Sequence, residues 1–321
     1  MNLLGIDIGG TKTSVCIGDE KGRIVASRRM PTRTPEGPES GIRRTIELAN
    51  SLLSENRLTL KDIEAVGISA PGPVSVPPGL MLAPPNMAGW VNVPVVRMFQ
   101  DAFHRPVFMN NDANACALAE YLFGSCRGTQ NLVYLTMSTG LGAGFIANGK
   151  LVQGVTDTGG EIGHHVLDIN GPPCPCGQRG CLELYCGGLN VANRLREQIV
   201  TRRIRTAILD LAGGDPANID FKTFVEAVKQ DDPFAVQAWH DYIERLAQGV
   251  GTVIMFMNPE VILMGTIAIH AGEQLLGSLR AALPRYAWKP GVEACRILPS
   301  ALGPAIGDLS ALAVAIDNLK K

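Results

Sequence analysis

The chain has no surplus of charge of either sign: 29 Lys and Arg stand against 30 Asp and Glu in 321 residues. Chains that grip nucleic acid through its phosphates carry a basic excess, so that class is set aside. An unbroken apolar run of membrane length is also missing. The longest, Val250 to Ile269, is interrupted by Asn258-Pro259-Glu260 and reads as a helix end, a turn and a strand. No secretory leader is legible, because Met1-Asn-Leu-Leu-Gly-Ile-Asp7 has no basic start or cleavage site and runs straight into a strand. Eight cysteines without a leader point to a reducing cytoplasm, with thiols and metal in place of a disulfide framework. Two nucleotide fingerprints are absent as well. Gly5-x-x-x-x-Gly10 is followed by Thr-Lys and a strand, which is not a Walker A loop. The glycines near residue 140 lack the G-x-G-x-x-G spacing and no helix follows them, which excludes the dinucleotide fingerprint.

What is present is an ordinary globular composition, 46% hydrophobic, in a chain long enough for two domains. Its most specific stretch is Gly159-Gly-Glu161-Ile-Gly-His164-His165 through Cys174-Pro-Cys176-Gly-Gln-Arg-Gly-Cys181-Leu-Glu183. His164 with Cys174, Cys176 and Cys181 matches the ligand set of a closed, tetrahedral structural zinc site. His165 is the rival histidine. A disulfide with a spectator cysteine and a catalytic zinc with an open position are the competing readings. The segment has little hydrophobic patterning, so metal would supply the folding energy that packing does not. Glu161 and Glu183 bracket the loop, and a bound zinc would fix both carboxylates. Solvated surface charge is their plain alternative.

In chain order, strands are expected at Leu3–Asp7, Thr13–Gly18 and Arg23–Met30, a meander with Gly9-Gly10-Thr11-Lys12 at its first turn. Bare backbone N–H groups at such a turn suit a phosphate, although a plain glycine hairpin has the same look. A helix at Gly37–Glu55 presents Ile42, Ile46, Ala49 and Leu53 on one face. A buried strand at Ile63–Ser69 leads into Ala70-Pro-Gly-Pro73 and an irregular stretch reaching Pro94. In that stretch Asn86 is a candidate for polar hydroxyls and Trp90 for a pocket wall, with a surface turn as the alternative. A strand at Pro106–Met109 precedes Asn110-Asn111-Asp112 and a helix to Phe123. Asp112 therefore stands at a helix start, as an N-cap or as a general base at a strand end, where ligands collect in α/β folds. Strands at Asn131–Thr136, Gly144–Asn148 and Lys150–Gln153 surround Ser138-Thr139-Gly140-Leu-Gly142 and repeat the N-terminal pattern. Two such halves imply a duplicated α/β fold that clamps a nucleotide phosphate chain in its cleft. Beyond them, helices are expected at Asn190–Ala212, Phe221–Lys229, Asp232–Phe256, Gly272–Leu283 and Gly307–Leu319, with strands at Val261–Met264 and Cys295–Leu298.

These motifs together resemble the ROK family (repressor, open reading frame, kinase), and within it the glucokinase-type sugar kinases. The resemblance spans essentially the whole chain. It rests on Asp7-x-Gly-Gly-Thr-Lys12, Ala70-Pro-Gly-Pro73, Asn111-Asp112-Ala-Asn114, Thr139-Gly-x-Gly142, Glu161-x-x-His164 and Cys174-x-Cys-Gly-x-x-Gly-Cys181-x-Glu183. It implies an α/β, actin-like (ribonuclease H-like) duplicated fold of two domains around a cleft. Residues 1–115 with about 303–321 would form the small domain, and 116–302 the large one. It further implies ATP, Mg2+ and a structural Zn2+, with Asn86, Asn111, Asp112, Glu161, His164 and Glu183 on a hexose. Asp7, Gly9, Gly10, Thr11, Lys12, Thr139, Gly140, Gly142 and Gly265 would face ATP and magnesium, and Asp112 would be the base for the 6-hydroxyl. Glucose is the first expectation. N-acetylglucosamine, N-acetylmannosamine, fructose, mannose and allose are alternatives, as is a silent sugar-binding regulator. Repressor members carry an added N-terminal helix-turn-helix, for which a first strand at Leu3 leaves no room, so no nucleic-acid or membrane partner is expected. A homodimer or homotetramer is. The chain departs from the family at Gly265-Thr266-Ile267, commonly Gly-Gly-Gly where adenosine packs, at Ser138 and Ala143, and at Gly303-Pro-Ala-Ile-Gly-Asp308.

Overall fold

The computed structural model describes residues 1–320, so Lys321, the last residue of the segment expected to rejoin the first domain, lies outside them. β1 (Asn2–Ile8), β2 (Lys12–Asp19) and β3 (Ile24–Pro31) form the expected meander. β1 and β2 pair from Asn2↔Asp19 to Ile8↔Thr13, which leaves Gly9, Gly10, Thr11 and Lys12 for the turn. α1 (Pro38–Glu55) opens with proline in its first turn and buries Ile42, Ala49, Leu52 and Leu53 along one stripe. Then follow β4 (Ile63–Ala70), the short β5 (Val74–Ser75) and β6 (Leu80–Met81), α2 (Val95–Phe103), β7 (Val107–Asn111) and α3 (Asp112–Phe123).

The second half begins with β8 (Leu132–Met137), β9 (Leu141–Ala147) and β10 (Lys150–Leu151). Helices α4 (Leu182–Cys186), α5 (Gly188–Arg202), α6 (Ala207–Leu211), α7 (Phe221–Lys229) and α8 (Pro233–Met257) come next. The chain closes with β11 (Val261–Met264), α9 (Ile267–Ala271), α10 (Glu273–Ala282), α11 (Lys289–Ala294), β12 (Arg296–Pro299) and α12 (Ile306–Leu319).

The strand orders are β3-β2-β1-β4-β7 and β10-β9-β8-β11-β12. Each sheet is an antiparallel meander followed by two parallel strands. The architecture is therefore duplicated, with α3 after β7 matching α12 after β12. These two helices pack on each other between the sheets, α12 on β1 and β4, α3 on β8 and β9. The approach is close: a Cβ on Gly67 of β4 would lie 1.9 Å from the Ala311 carbonyl oxygen, so only glycine fits beneath α12. The outer face of the first sheet is covered by α1 and α2, and that of the second by a larger core including α5, α7, α8 and α10.

Several expectations need correction. The helix expected over Asn190–Ala212 is two, because Arg203 turns left-handed (φ 53°) and Thr206 caps a new start by accepting from the Ile208 N–H. Lys150–Gln153 is a strand only over its first two residues. Helices α2, α4, α9 and α11 had no expectation, and α4, α9 and α11 are too short to show a helical period. Among the described residues no helix is long and apolar enough to cross a membrane.

Candidate active site and metal centre

Candidate residues gather where β1, β7 and the β8–β9 turn meet the loop of residues 159–183. At the end of β7, Asn111 has extended backbone (φ −68°, ψ 158°) and its Oδ1 accepts the Asn114 N–H at 2.8 Å. Asn111 is thus the N-cap of α3, which corrects the reading of Asp112 as the cap. Its Nδ2 faces Glu161 Oε1 at 3.5 Å, at the limit of a hydrogen bond. The cap leaves Asp112 as the first helical residue, where its Oδ1 accepts from the adjacent Ala113 N–H at 2.8 Å. The Asp112 carboxylate opens to solvent on one side and is walled by protein on the others. Burial by those walls raises its pKa from 3.8 to about 6. The Ala113 N–H lowers it, and the nearby charges of Asp7 and Glu161 raise it further.

Asp7 comes from β1, opposite Ser69 of β4 in the parallel register. Burial raises its carboxyl to about 6, the Ser69 hydroxyl pulls it down, Asp308 pushes it up and Arg29 draws it down. Gly307, in the first turn of α12, abuts this carboxylate, and a Cβ there would lie 2.5 Å from Asp7 Oδ2. At the β1–β2 turn the Gly9 N–H donates to the Lys12 carbonyl oxygen at 3.0 Å, with Thr11 and Lys12 exposed. Asn86 lies at the same turn: a Cβ on Gly10 would sit 3.0 Å from its carbonyl oxygen. Trp90, expected as a pocket wall, is only 1% exposed. It lies in the core beneath α1, where a Cβ on Gly41 would come 2.8 Å from its ring.

Thr139 and Gly140 form the β8–β9 turn, and Gly142 follows within β9. Glu183, in the first turn of α4, leans on this turn and accepts the Leu141 N–H at 2.9 Å. Glu161 sits just before the helical turn Ile162–His164. Burial raises its pKa; His164 lowers it, Glu183 raises it and Asn111 lowers it. Gly265 follows β11 directly, packed so tightly on Tyr134 that a Cβ would lie 2.2 Å from its hydroxyl.

One ligand atom from each of His164, Cys174, Cys176 and Cys181 lies within 4.8 Å of the other three. His164 Nδ1 is 3.8 Å from Cys174 Sγ, and Cys176 Sγ is 3.6 Å from Cys181 Sγ. Thiolates about 2.3 Å from a tetrahedral zinc stand about 3.7 Å apart, so the set fits that ion. His165 is not in the cluster, and the three cysteines are unpaired. The exposed Cys176 thiol is lowered, chiefly by the Gln178 N–H, whereas burial pushes Cys181 up to about 12. A cation there would favour both thiolates.

The ROK family model matches residues 3–318. The chain belongs to the ROK family. This ROK chain is 33% identical over 322 residues to a glucokinase of Thermotoga maritima, covering 99% of the chain and 98% of that protein. It is 28% identical to a xylose repressor of Caldicellulosiruptor bescii, over 88% of the chain and 70% of that protein. A ROK glucokinase of Streptomyces griseus, solved with glucose and AMPPNP, superposes with a TM-score of 0.80 at 30% identity, covering 98% and 99%. The fold of the ROK chain is the actin-like one of the family's sugar kinases. Motif reading assigned no part to Asp308, which is buried and accepts the Ser14 and Ser27 hydroxyls at 2.7 and 2.6 Å. These bonds tie the first turn of α12 to β2 and β3 behind Asp7. The Gly307-Asp308 dipeptide was the signal for it, visible only as a turn.

Proposed function

We propose that this chain is an ATP-dependent hexose kinase that phosphorylates the 6-hydroxyl of glucose. The observation that carries the reading is the position of Asp112. It opens α3 directly after Asn111, whose Nδ2 faces Glu161 Oε1 at 3.5 Å, and it is near enough to Asp7 and Glu161 to feel both charges, which supports a base set between a phosphate side at Asp7 and a sugar side at Glu161. The two glycine turns would hold the phosphates of ATP through backbone N–H groups. Asn86, Asn111, Glu161, His164 and Glu183 would hold the sugar. With one ring nitrogen on zinc, His164 would present the other to a hydroxyl in a fixed tautomer. Asp112 takes the proton of O6 as that oxygen bonds to the γ-phosphorus, and the bond to the β–γ bridging oxygen breaks to release ADP. Asp7 would hold magnesium beside the turn, and the ion would neutralise charge on the phosphates of ATP. Residues 1–115 with about 303–320 form one lobe and 116–302 the other in this proposal, with α12 returning to the first sheet as support. The unpaired cysteines fit a reducing cytoplasm.

The test is coupled ADP release with ATP, magnesium and a panel of glucose, mannose, fructose, allose, N-acetylglucosamine and N-acetylmannosamine, for wild type and Asp112→Asn. Glucose-dependent turnover that is lost in the variant while sugar binding survives supports the reading. Turnover with an N-acetyl sugar alone keeps the chemistry and moves the substrate. Zinc-replete protein that turns over no sugar favours a sugar-responsive regulator, the second reading, which the altered Gly265-Thr266-Ile267 and the xylose repressor relative support.

A further inference from the structure

Strand β8 outruns its parallel neighbour β11. The ladder between them ends where the Gly265 N–H donates to the Leu135 carbonyl at 2.8 Å, while β8 continues through Thr136 and Met137. Met137 faces the same edge as Leu135, so its N–H and C=O look out past the end of β11. The side chain of Thr266 fills this place. Its hydroxyl accepts the Met137 N–H at 3.1 Å and donates to the Met137 carbonyl. To do so Thr266 adopts φ 45° and ψ −101°, an outlying conformation for a β-branched residue. Such strain persists only where the surroundings over-determine it, and it concentrates at ligand sites.

Met137 immediately precedes the Ser138-Thr139-Gly140 turn. The other side of that turn is held by the start of α5: Gly188 N–H donates to the Ser138 carbonyl at 2.9 Å and Leu189 N–H to that of Thr139 at 3.1 Å. Ile267, next to Thr266, lies against the same helix start, where a Cβ on Gly188 would be 2.8 Å from its Cδ1. Residues 266 and 267 therefore touch both supports of the turn.

We infer that Thr266 is a positioning residue for the nucleoside triphosphate. Its hydroxyl replaces the missing ladder bonds and locks the turn proposed to hold the phosphates to the segment after β11, so the triphosphate meets that turn in one fixed geometry. The inference rests on the kinase reading for the identity of the ligand. A valine here keeps the shape and strands two backbone groups, a serine keeps the hydroxyl, and a glycine removes both hydroxyl and strain.

The test measures the Kd of Mg·ATP by calorimetry, the KM of ATP and of hexose, and amide exchange across residues 132–144, in wild type, Thr266→Val, Thr266→Ser and Thr266→Gly. Thr266→Val and Thr266→Gly are expected to weaken ATP about tenfold and speed exchange at Met137 and Ser138. Thr266→Ser should stay near wild type, and hexose KM should hold within about twofold in all three. Thr266→Gly serves if the valine variant does not fold. Equal ATP affinity in wild type and both hydroxyl-less variants overturns the inference and leaves the kinase standing. Wild type that neither binds nor consumes ATP overturns the kinase reading and this role with it.

Discussion

Glu183 Oε2 accepts the Leu141 N–H at 2.9 Å, and so fastens the metal loop to the β8–β9 turn. Glu183 lies two residues after the ligand candidate Cys181, and a Cβ on Gly140 would come 2.3 Å from its Oε2. A single carboxylate thus joins the loop that carries the His/Cys cluster to the β8–β9 turn.

Gly140→Ala is expected to push Glu183 off this contact. Misplacement of a positioning group by about 1 Å costs roughly 10²-fold. Steady-state kinetics should therefore show a fall in kcat/KM of that order, with hexose KM raised. Unchanged hexose KM would mean that Glu183 does not need this seat.

Cys181→Ala removes a buried member of the ligand cluster. Elemental analysis should find about one zinc per wild-type chain and none in the variant. Because metal binding is folding energy in such a loop, the variant and the chelator-treated wild type should both lose thermal stability and hexose affinity. Full affinity without zinc would detach the sugar site from the metal.

In the proposed reaction Asp112 acts as its carboxylate, whose pKa burial raises to about 6. The kcat/KM for hexose is thus expected to rise with pH through about 6, and Asp112→Asn to lower turnover by about 10²–10⁴. The stability sign is the opposite one. A carboxyl raised on folding contributes stability below its unfolded value, and that contribution is lost as pH rises through about 6. Asp112→Asn should therefore melt higher than wild type at pH 8 and not at pH 3, which thermal denaturation at the two values checks.

Asp308→Ala leaves the Ser14 and Ser27 hydroxyls without their acceptor. The stranded hydroxyl of buried Ser14 costs about 1–3 kcal/mol, whereas the exposed Ser27 turns to water. Urea titration should show the loss. Activity should fall too, because α12 holds Gly307 against Asp7.

Short-range chemistry was readable from the chain. The candidate metal ligands His164, Cys174, Cys176 and Cys181 were picked out by residue type and spacing, and the fold brings them together. The two glycine turns followed from alternation of strand and Gly pairs, and the duplicated sheet orders bear that reading out. Trp90 was misread because its Pro- and Gly-rich surroundings carry no period to show which way it points, and the burial of its ring against α1 is a long-range event. Asn111 and Asp112 were indistinguishable as caps by residue type, since both are good N-caps. The backbone angle at the end of β7 decided between them.

The sequence by itself determined which atoms are available for chemistry: the thiols and imidazole, the carboxylates, and the bare amides of the turns. These depend on residue identity and on separations of a few residues. Only the tertiary structure decided that Asn86 lies on Gly10, that Glu183 rests on Leu141, and that Thr266 bonds to Met137. Those partners are tens to more than a hundred residues apart. Their meeting is set by how two sheets and the helices between them pack, which close contact between side chains and glycine backbones fixes and local propensity does not encode.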